Sequence, residues 1–258
     1  LEPVGMKGRE LSALISFVVA NQFFVDEINN RLTQIGVTAN GFYSTPAGEA
    51  MLYLPEEDRD RTAVLIDMGY LNTEVMAVEG DALIFHKTIE IGGVNIAADL
   101  AIGLDIPLKE AEEKIKRQYV YGIGAAGETY DLPGVDGQKP RSFTRDEVTE
   151  IITARVDEIA EEIQAALDDS GIKLGNWSNI YLTGGGLCLN RGGKDYLSAR
   201  LNRPVRDTVK RTVKLSSPVY ASAMGLLDLI ADTIEAHTAP TGGLGGGVKE
   251  FFKSLLGG

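Results

Sequence analysis

Cysteine is nearly absent from this chain: Cys188 is the single one in 258 residues. An internal disulfide is therefore excluded, and a reducing compartment is the expected setting. Histidine is scarce too. His86 and His237 stand far apart, and no metal-ligand cluster or Ser/His/Asp arrangement can be assembled around either. Both read as incidental, and Cys188 reads as a small core residue. No apolar run is long enough to span a bilayer, and no signal peptide is recognisable. Positive charge is in deficit: 25 Lys and Arg against 37 Asp and Glu leave a net charge of -12. That balance argues against nucleic acid as a partner and against a general attraction to anionic lipid. What is present is an ordinary globular composition, 44% hydrophobic and 24% charged, with length enough for an ample core.

The end of the chain departs from that composition. Ala239 to Gly247 is a glycine-rich leash, and VKEFFKSLLGG follows it. Val248, Phe251, Phe252, Leu255 and Leu256 fall at i, i+3, i+4, i+7 and i+8, which sets all five on one helical face. Lys249, Glu250, Lys253 and Ser254 take the other face. Such a face on a flexible leash needs a surface to bury against: a membrane, a partner groove, or a fold-back onto its own domain.

Along the rest of the chain, strands and helices alternate. Strands are expected at Leu11–Ala20, Val37–Tyr43, Thr62–Asp67, Asn179–Leu182 and around Val205. Glu74–Glu79 and Ala82–Thr88 flank Gly80-Asp81, a hairpin signal. Helices are expected at Val25–Ile35 (stopped by Gly36), Pro46–Leu54, Val94–Ile102, Leu108–Tyr119, Tyr196–Leu201 and Pro218–Ile234. A further helix starts at Arg145, with Thr144 and Glu147 forming a capping box and Ile151, Ile152, Val156, Ile159, Ile163 and Leu167 on one face. Glu56–Arg61 reads as a solvated turn, and 122–140 as loop or short hairpin. The pattern is α/β with a mixed sheet.

Two segments join a strand to a turn suited to phosphate or nucleoside. The first is Asp67-Met68-Gly69-Tyr70-Leu71-Asn72-Thr73. A buried strand ending in Asp holds a carboxylate beside a hydrated Mg²⁺, Gly69 allows close approach, and Thr73 offers a hydroxyl. The second is Thr183-Gly184-Gly185-Gly186, where glycines bring backbone close to a flat ligand such as a purine. Each alone is also compatible with a plain turn. Glu112, Glu113, Lys114 and Lys116 most simply form a solvated helix face.

The order of these pieces resembles the actin/Hsp70 superfamily and, within it, the FtsA family of bacterial cell-division proteins. Pro3 to Leu11 (PVGMKGREL) looks like that family's P-x-G-M-x-G-x-x-L signature in its extra subdomain 1C. The resemblance implies an actin-like (ribonuclease-H-like) α/β fold, a mixed sheet with flanking helices, plus part of the small α/β subdomain 1C. The implied divisions are 1–43 for partial 1C, 44–107 and 179–238 for subdomain 2A, 108–178 for 2B, 239–247 for a linker and 248–258 for an amphipathic membrane-targeting helix. It implies that the chain, which opens on Leu1 rather than Met, lacks subdomain 1A and its first phosphate motif. ATP and Mg²⁺ are the implied cofactors, with ATP expected to bind this chain alone weakly or not at all because half of the cleft is missing. Asp67 (also facing the metal), Gly69, Asn72, Thr73, Gly92, Gly93, Glu113, Lys116 and Gly184, Gly185 and Gly186 are the implied nucleotide residues, with Glu113 and Lys116 as an E-x-x-K pair on the ribose side. The implied partners are the FtsZ C-terminal peptide on 2B, further copies in a filament, and inner-leaflet lipid at the division site. Lys139, Arg141 and Arg145 are basic candidates for the peptide. A scaffold rather than an enzyme is expected; the alternatives are a pilus-assembly scaffold like PilM and an ATPase of the same superfamily. One departure stands out: Tyr70 and Leu71 occupy positions the family keeps small.

Overall fold

A computed structural model describes residues 7–10, 12, 15–122, 124, 125, 127–134, 139–208 and 217–238, the last five in backbone only. The expected signature at 3–6 and Leu11, the leash and the tail helix lie outside the described residues. The chain forms two compact units, Leu1–Phe42 and Tyr43–Gly258.

In the first unit, α1 (Gln22–Gln34) is the helix expected from periodicity, capped by the Asn21 side chain, which accepts from Phe23 N–H at 2.9 Å. Gly36 ends it at φ +74°, a backbone state that suits glycine. The strands expected at 11–20 and 37–43 are not found: residues 12, 15–20 and 37–43 are extended or irregular without ladder pairing. A strand needs a neighbour to take its N–H and C=O groups, and none is present in the described part of this unit. Its large apolar side chains stay open, Phe17 at 82% and Val19 at 85% exposure.

The second unit is built on a five-stranded mixed sheet of order β3-β2-β1-β6-β7. β1 (Ala63–Met68), β2 (Thr73–Glu79) and β3 (Ala82–Ile89) form an antiparallel meander, and β6 (Ile180–Thr183) and β7 (Val205–Asp207) add in parallel. Gly80 and Asp81 both take positive φ, +57° and +62°, as the tight hairpin turn requires. Every residue of β1 is buried because both sheet faces are covered. Val64, Ile66 and Met68 pack with α4 (Gly93–Gly103) and α6 (Arg145–Asp169); Ala63 and Leu65 pack with Ala50 of α2 (Thr45–Tyr53) and with Leu54, which follows it.

Helix α6 carries the expected capping box, and Ile152, Val156, Ile159, Ile163 and Leu167 are buried along it; Ile151 sits at the margin, half-buried. The Glu56–Arg61 segment is not a solvated turn. Glu56–Arg59 is a short helix, α3, whose Asp58 and Arg59 are tied to the start of β6 and to the β2–β3 turn, while Glu56 and Glu57 are exposed. Asp58 accepts from Asn179 Nδ2 at 2.8 Å and from the Tyr181 hydroxyl, and Arg59 donates to Asp81 at 2.6 Å and to Leu54 O at 3.2 Å. The helix expected over Leu108–Tyr119 starts as α5 (Leu108–Glu110), then passes through a π turn at Ala111–Ile115 and a 3₁₀ turn at Lys116–Gln118. β4 (Thr129–Leu132) and β5 (Arg141–Thr144) make a separate two-stranded hairpin, its second arm beyond the range expected from sequence. α7 (Gly193–Arg200) precedes β7, and α8 (Ala221–Thr238) closes the described chain.

α2 and α8 cross backbone to backbone. A Cβ on Gly48 would run into Gly225 O and lie 2.6 Å from Gly225 C. Gly48→Ala is therefore expected to cost about 2–3 kcal/mol, because the obstacle is main chain and cannot turn aside. Urea melts should show a lowered midpoint with an unchanged slope; an unchanged midpoint would mean the crossing has slack.

Candidate functional site

β1 and β6 run parallel with Asp67 opposite Thr183. Both motif strands therefore end side by side, and the turns that follow them meet. Gly186 N–H donates to Met68 O at 2.7 Å, and a Cβ on Gly184 would strike Asp67 Oδ1 and Met68 O. The loop entering α4 closes the third side. Gly93 and Val94 N–H donate to Gly69 O at 2.9 Å and Tyr70 O at 2.8 Å, and a Cβ on Gly93 would lie 2.8 Å from Gly186 Cα. Gly92 lies under the turn, where a Cβ would come 2.5 Å from Tyr70 O. Gly69, Gly92, Gly93, Gly184 and Gly186 thus converge, and they do so because three backbone segments touch where side chains would keep them apart.

The turn itself carries unpaired backbone donors. The N–H groups of Tyr70, Leu71 and Asn72 donate to no described protein acceptor. Successive free N–H groups in a tight turn make a concavity for phosphate-like oxygens. Tyr70 and Leu71 are 52% and 69% exposed, so their side chains point to solvent. Two expected contributors are already engaged: Thr73 Oγ1 donates to Ile91 O at 2.8 Å, and Asn72 Nδ2 to Glu74 Oε1 at 2.7 Å.

Lys116 overturns the solvated-face reading. It is 5% exposed, and its Nζ lies 3.2 Å from the Cβ position of Gly93. The π turn re-aims this part of the helix. Lys116 pairs with Glu112 at 3.0 Å, while Glu113 stays exposed with no described partner. Asn190 Nδ2 donates to Lys116 O at 2.6 Å and Tyr119 O at 2.9 Å, fixing the end of the segment. Gly185 faces Val219, whose Cγ1 lies 2.7 Å from its Cβ position.

Asp67 is 6% exposed. Its Oδ2 accepts from the Ser222 hydroxyl at 3.2 Å, and its Oδ1 is buried with no donor. Against it stands Glu49 of α2, 2% exposed, with Oε2 also lacking a donor. Burial first, then the Asp67 charge, pushes the Glu49 carboxyl up to about 8. Burial also raises Asp67. Sequence reasoning did not find Glu49. The one available signal was an acid inside an otherwise small and apolar helix, TPAGEAMLY. Cys188 is half-buried against the core, its thiol pushed up to about 12 by burial, as a structural residue should be. His86 sits on Glu74, away from any metal cluster; among the described residues no group of three or more Asp, Glu, His or Cys is placed to hold a metal.

The family model "Cell division protein FtsA" matches residues 64–225, which takes in both motif strands, the converging glycines, Lys116 and α6. FtsA of Pseudomonas aeruginosa is 28% identical over 234 residues; the match covers 88% of this chain and 56% of that protein. The chain thus spans about half the length of the curated relative it matches. Among solved structures, Spiroplasma citri MreB5 bound to ADP superposes with a TM-score of 0.68 at 13% identity, covering 86% of this chain and 69% of that one. The MamK double helical filament gives 0.61 at 19%, covering 82% and 65%. At such identities these two show the fold alone: it is actin-like, with a mixed sheet and flanking helices. With the family match running from β1 through the glycine cluster into α8, this chain belongs to the FtsA family of cell-division proteins.

Proposed function

We propose that the chain is part of a non-enzymatic division scaffold that tethers an FtsZ ring to the cytoplasmic face of the membrane. The observation that carries the tether is the terminal pattern, five apolar residues on one face behind a glycine leash in a chain of the FtsA family. Burying that face contributes at most ~7–15 kcal/mol. Ordering eleven residues costs roughly 1 kcal/mol or more each, so one copy binds reversibly and a filament of copies binds firmly by avidity. Lys249 and Lys253 each add about 1 kcal/mol at an anionic surface. Phe252→Glu is expected to weaken co-sedimentation with anionic liposomes at least tenfold while the far-UV circular dichroism stays unchanged. Equal sedimentation of variant and parent would leave the folded-back helix as the better account.

The glycine cleft suits a nucleotide phosphate with Mg²⁺. Free N–H groups at Tyr70, Leu71 and Asn72, the orphaned Asp67 Oδ1 and the buried Lys116 ammonium fit such a ligand. When bound, Mg-ATP supplies compact charge for both turns to grip. These residues would orient and hold it, with Asp67 toward the cation. The FtsZ peptide is proposed to dock within 108–178. Of the three basic candidates there, Arg145 is committed to Val120 O, Gly122 O and Glu128, and Arg141 to Leu104 O and Asp105 O. Lys139 is exposed and remains available.

A further inference from the structure

We propose that Glu49 is the second carboxylate of a divalent-cation site anchored by Asp67. This rests on the reading that Asp67 serves a cation, and it adds the residue that completes the anionic side. Three independent elements bring the groups together: α2 carries Glu49, the end of β1 carries Asp67, and the first turn of α8 carries Ser222. Glu49 Oε2 and Asp67 Oδ1 are both buried and receive no donor from the protein. Ser222 is the hydroxyl that reaches the pair. No Lys, Arg or His side chain among the described residues pairs with either carboxyl. Glu74, directly across the ladder from Asp67, adds negative charge to the same face.

Two carboxyls removed from water and left without a basic partner are neutralised either by a proton or by a bound cation. A hard divalent cation suits the site: carboxylate, carboxylate and hydroxyl are the donors such ions take, with water completing the shell. A shared proton is the competing occupant. It neutralises one carboxyl and leaves the pair with a net negative charge beside Glu74, whereas a divalent ion neutralises both. Access is short. Ser222 itself is exposed, so the pair lies one hydroxyl below solvent.

Mn²⁺ titrated into the full chain without nucleotide, followed by electron paramagnetic resonance, reads the site directly. Wild type is expected to remove the free-ion signal saturably, with Mg²⁺ competing. Glu49→Gln, near-isosteric, should weaken Mn²⁺ at least tenfold, Asp67→Asn likewise, and Glu162→Gln on the exposed face of α6 not at all. Circular dichroism verifies folding, and Glu49→Ser provides a second variant should Gln disturb the crossing. Asp67→Asn losing Mn²⁺ while both Glu49 variants keep it would overturn the Glu49 assignment alone. Asp67→Asn keeping it, or no binding by wild type, would overturn the cation reading of Asp67 as well.

Discussion

Raising the pH from about 5 to 8.5 in metal-free buffer is expected to destabilise the fold by roughly 3–5 kcal/mol, and Glu49→Gln should remove most of that slope. The Glu49 carboxyl is held at about 8 in the folded chain, against 4.5 for the ordinary group. Between those values the folded state keeps a proton that the unfolded state has released. Stability therefore falls as pH rises, because proton uptake favours the folded form. The contribution is complete below pH 4.5 and lost by pH 8, at about 1.4 kcal/mol per pH unit. Asp67 titrates in contact with it, so the pair carries the effect jointly. Gln cannot ionise, yet keeps an N–H to offer Asp67. Urea melts of both proteins across the range, in EDTA, give the difference. A wild-type profile that is flat, or parallel to the variant, would mean that Glu49 is charged in the folded chain.

The second large effect is expected at the glycine cluster. Gly184→Ala should cost about 3–5 kcal/mol, from two sources. Gly184 has φ +92°, where an L residue is strained by roughly 1–3 kcal/mol. Its Cβ would also strike Asp67 Oδ1 and Met68 O, the second of them main chain, adding overpacking of similar size. Gly185→Ala is the matched control. Its Cβ meets the Cγ1 of Val219, a half-exposed side chain able to rotate, so a loss of about 1 kcal/mol or less is expected. Near-equal denaturation midpoints for the two variants would show that the Met68–Gly184 approach is looser than its geometry implies.

Elements that follow from a local period were readable in the sequence: α1, α2, α4, α6, the Gly80-Asp81 hairpin and β1. So were the two motif turns, because Asp at a strand end and a glycine run are local signals. What failed was non-local. Residues 15–20 have the composition of a strand but no described neighbour to pair with. Glu56–Arg59 looks solvated until Asn179 and Tyr181, distant in sequence, arrive at Asp58. Glu49 is unremarkable along the chain and gains meaning only when α2 lies beside the end of β1. Glu113 and Lys116 were placed together on the ribose side by resemblance; helix phase separates them, burying Lys116 against Glu112 and leaving Glu113 exposed.

That phase has a genetic consequence. A π turn at Ala111–Ile115 accommodates an extra residue relative to α-helical winding. Deleting one residue there would restore ordinary winding and leave the downstream residues in phase, because the turn is what absorbs the extra residue. Adding one has no such slack and would rotate the downstream residues by about 100°. The Lys116 ammonium would swing away from Gly93, and the carbonyls of Lys116 and Tyr119 would leave Asn190. No side chain in the cleft would have changed identity, yet its basic group would be gone. In this segment the sensitive variable is residue number rather than residue type, so a single-codon insertion would do damage that a scan of point substitutions would miss, and a single-codon deletion would be absorbed.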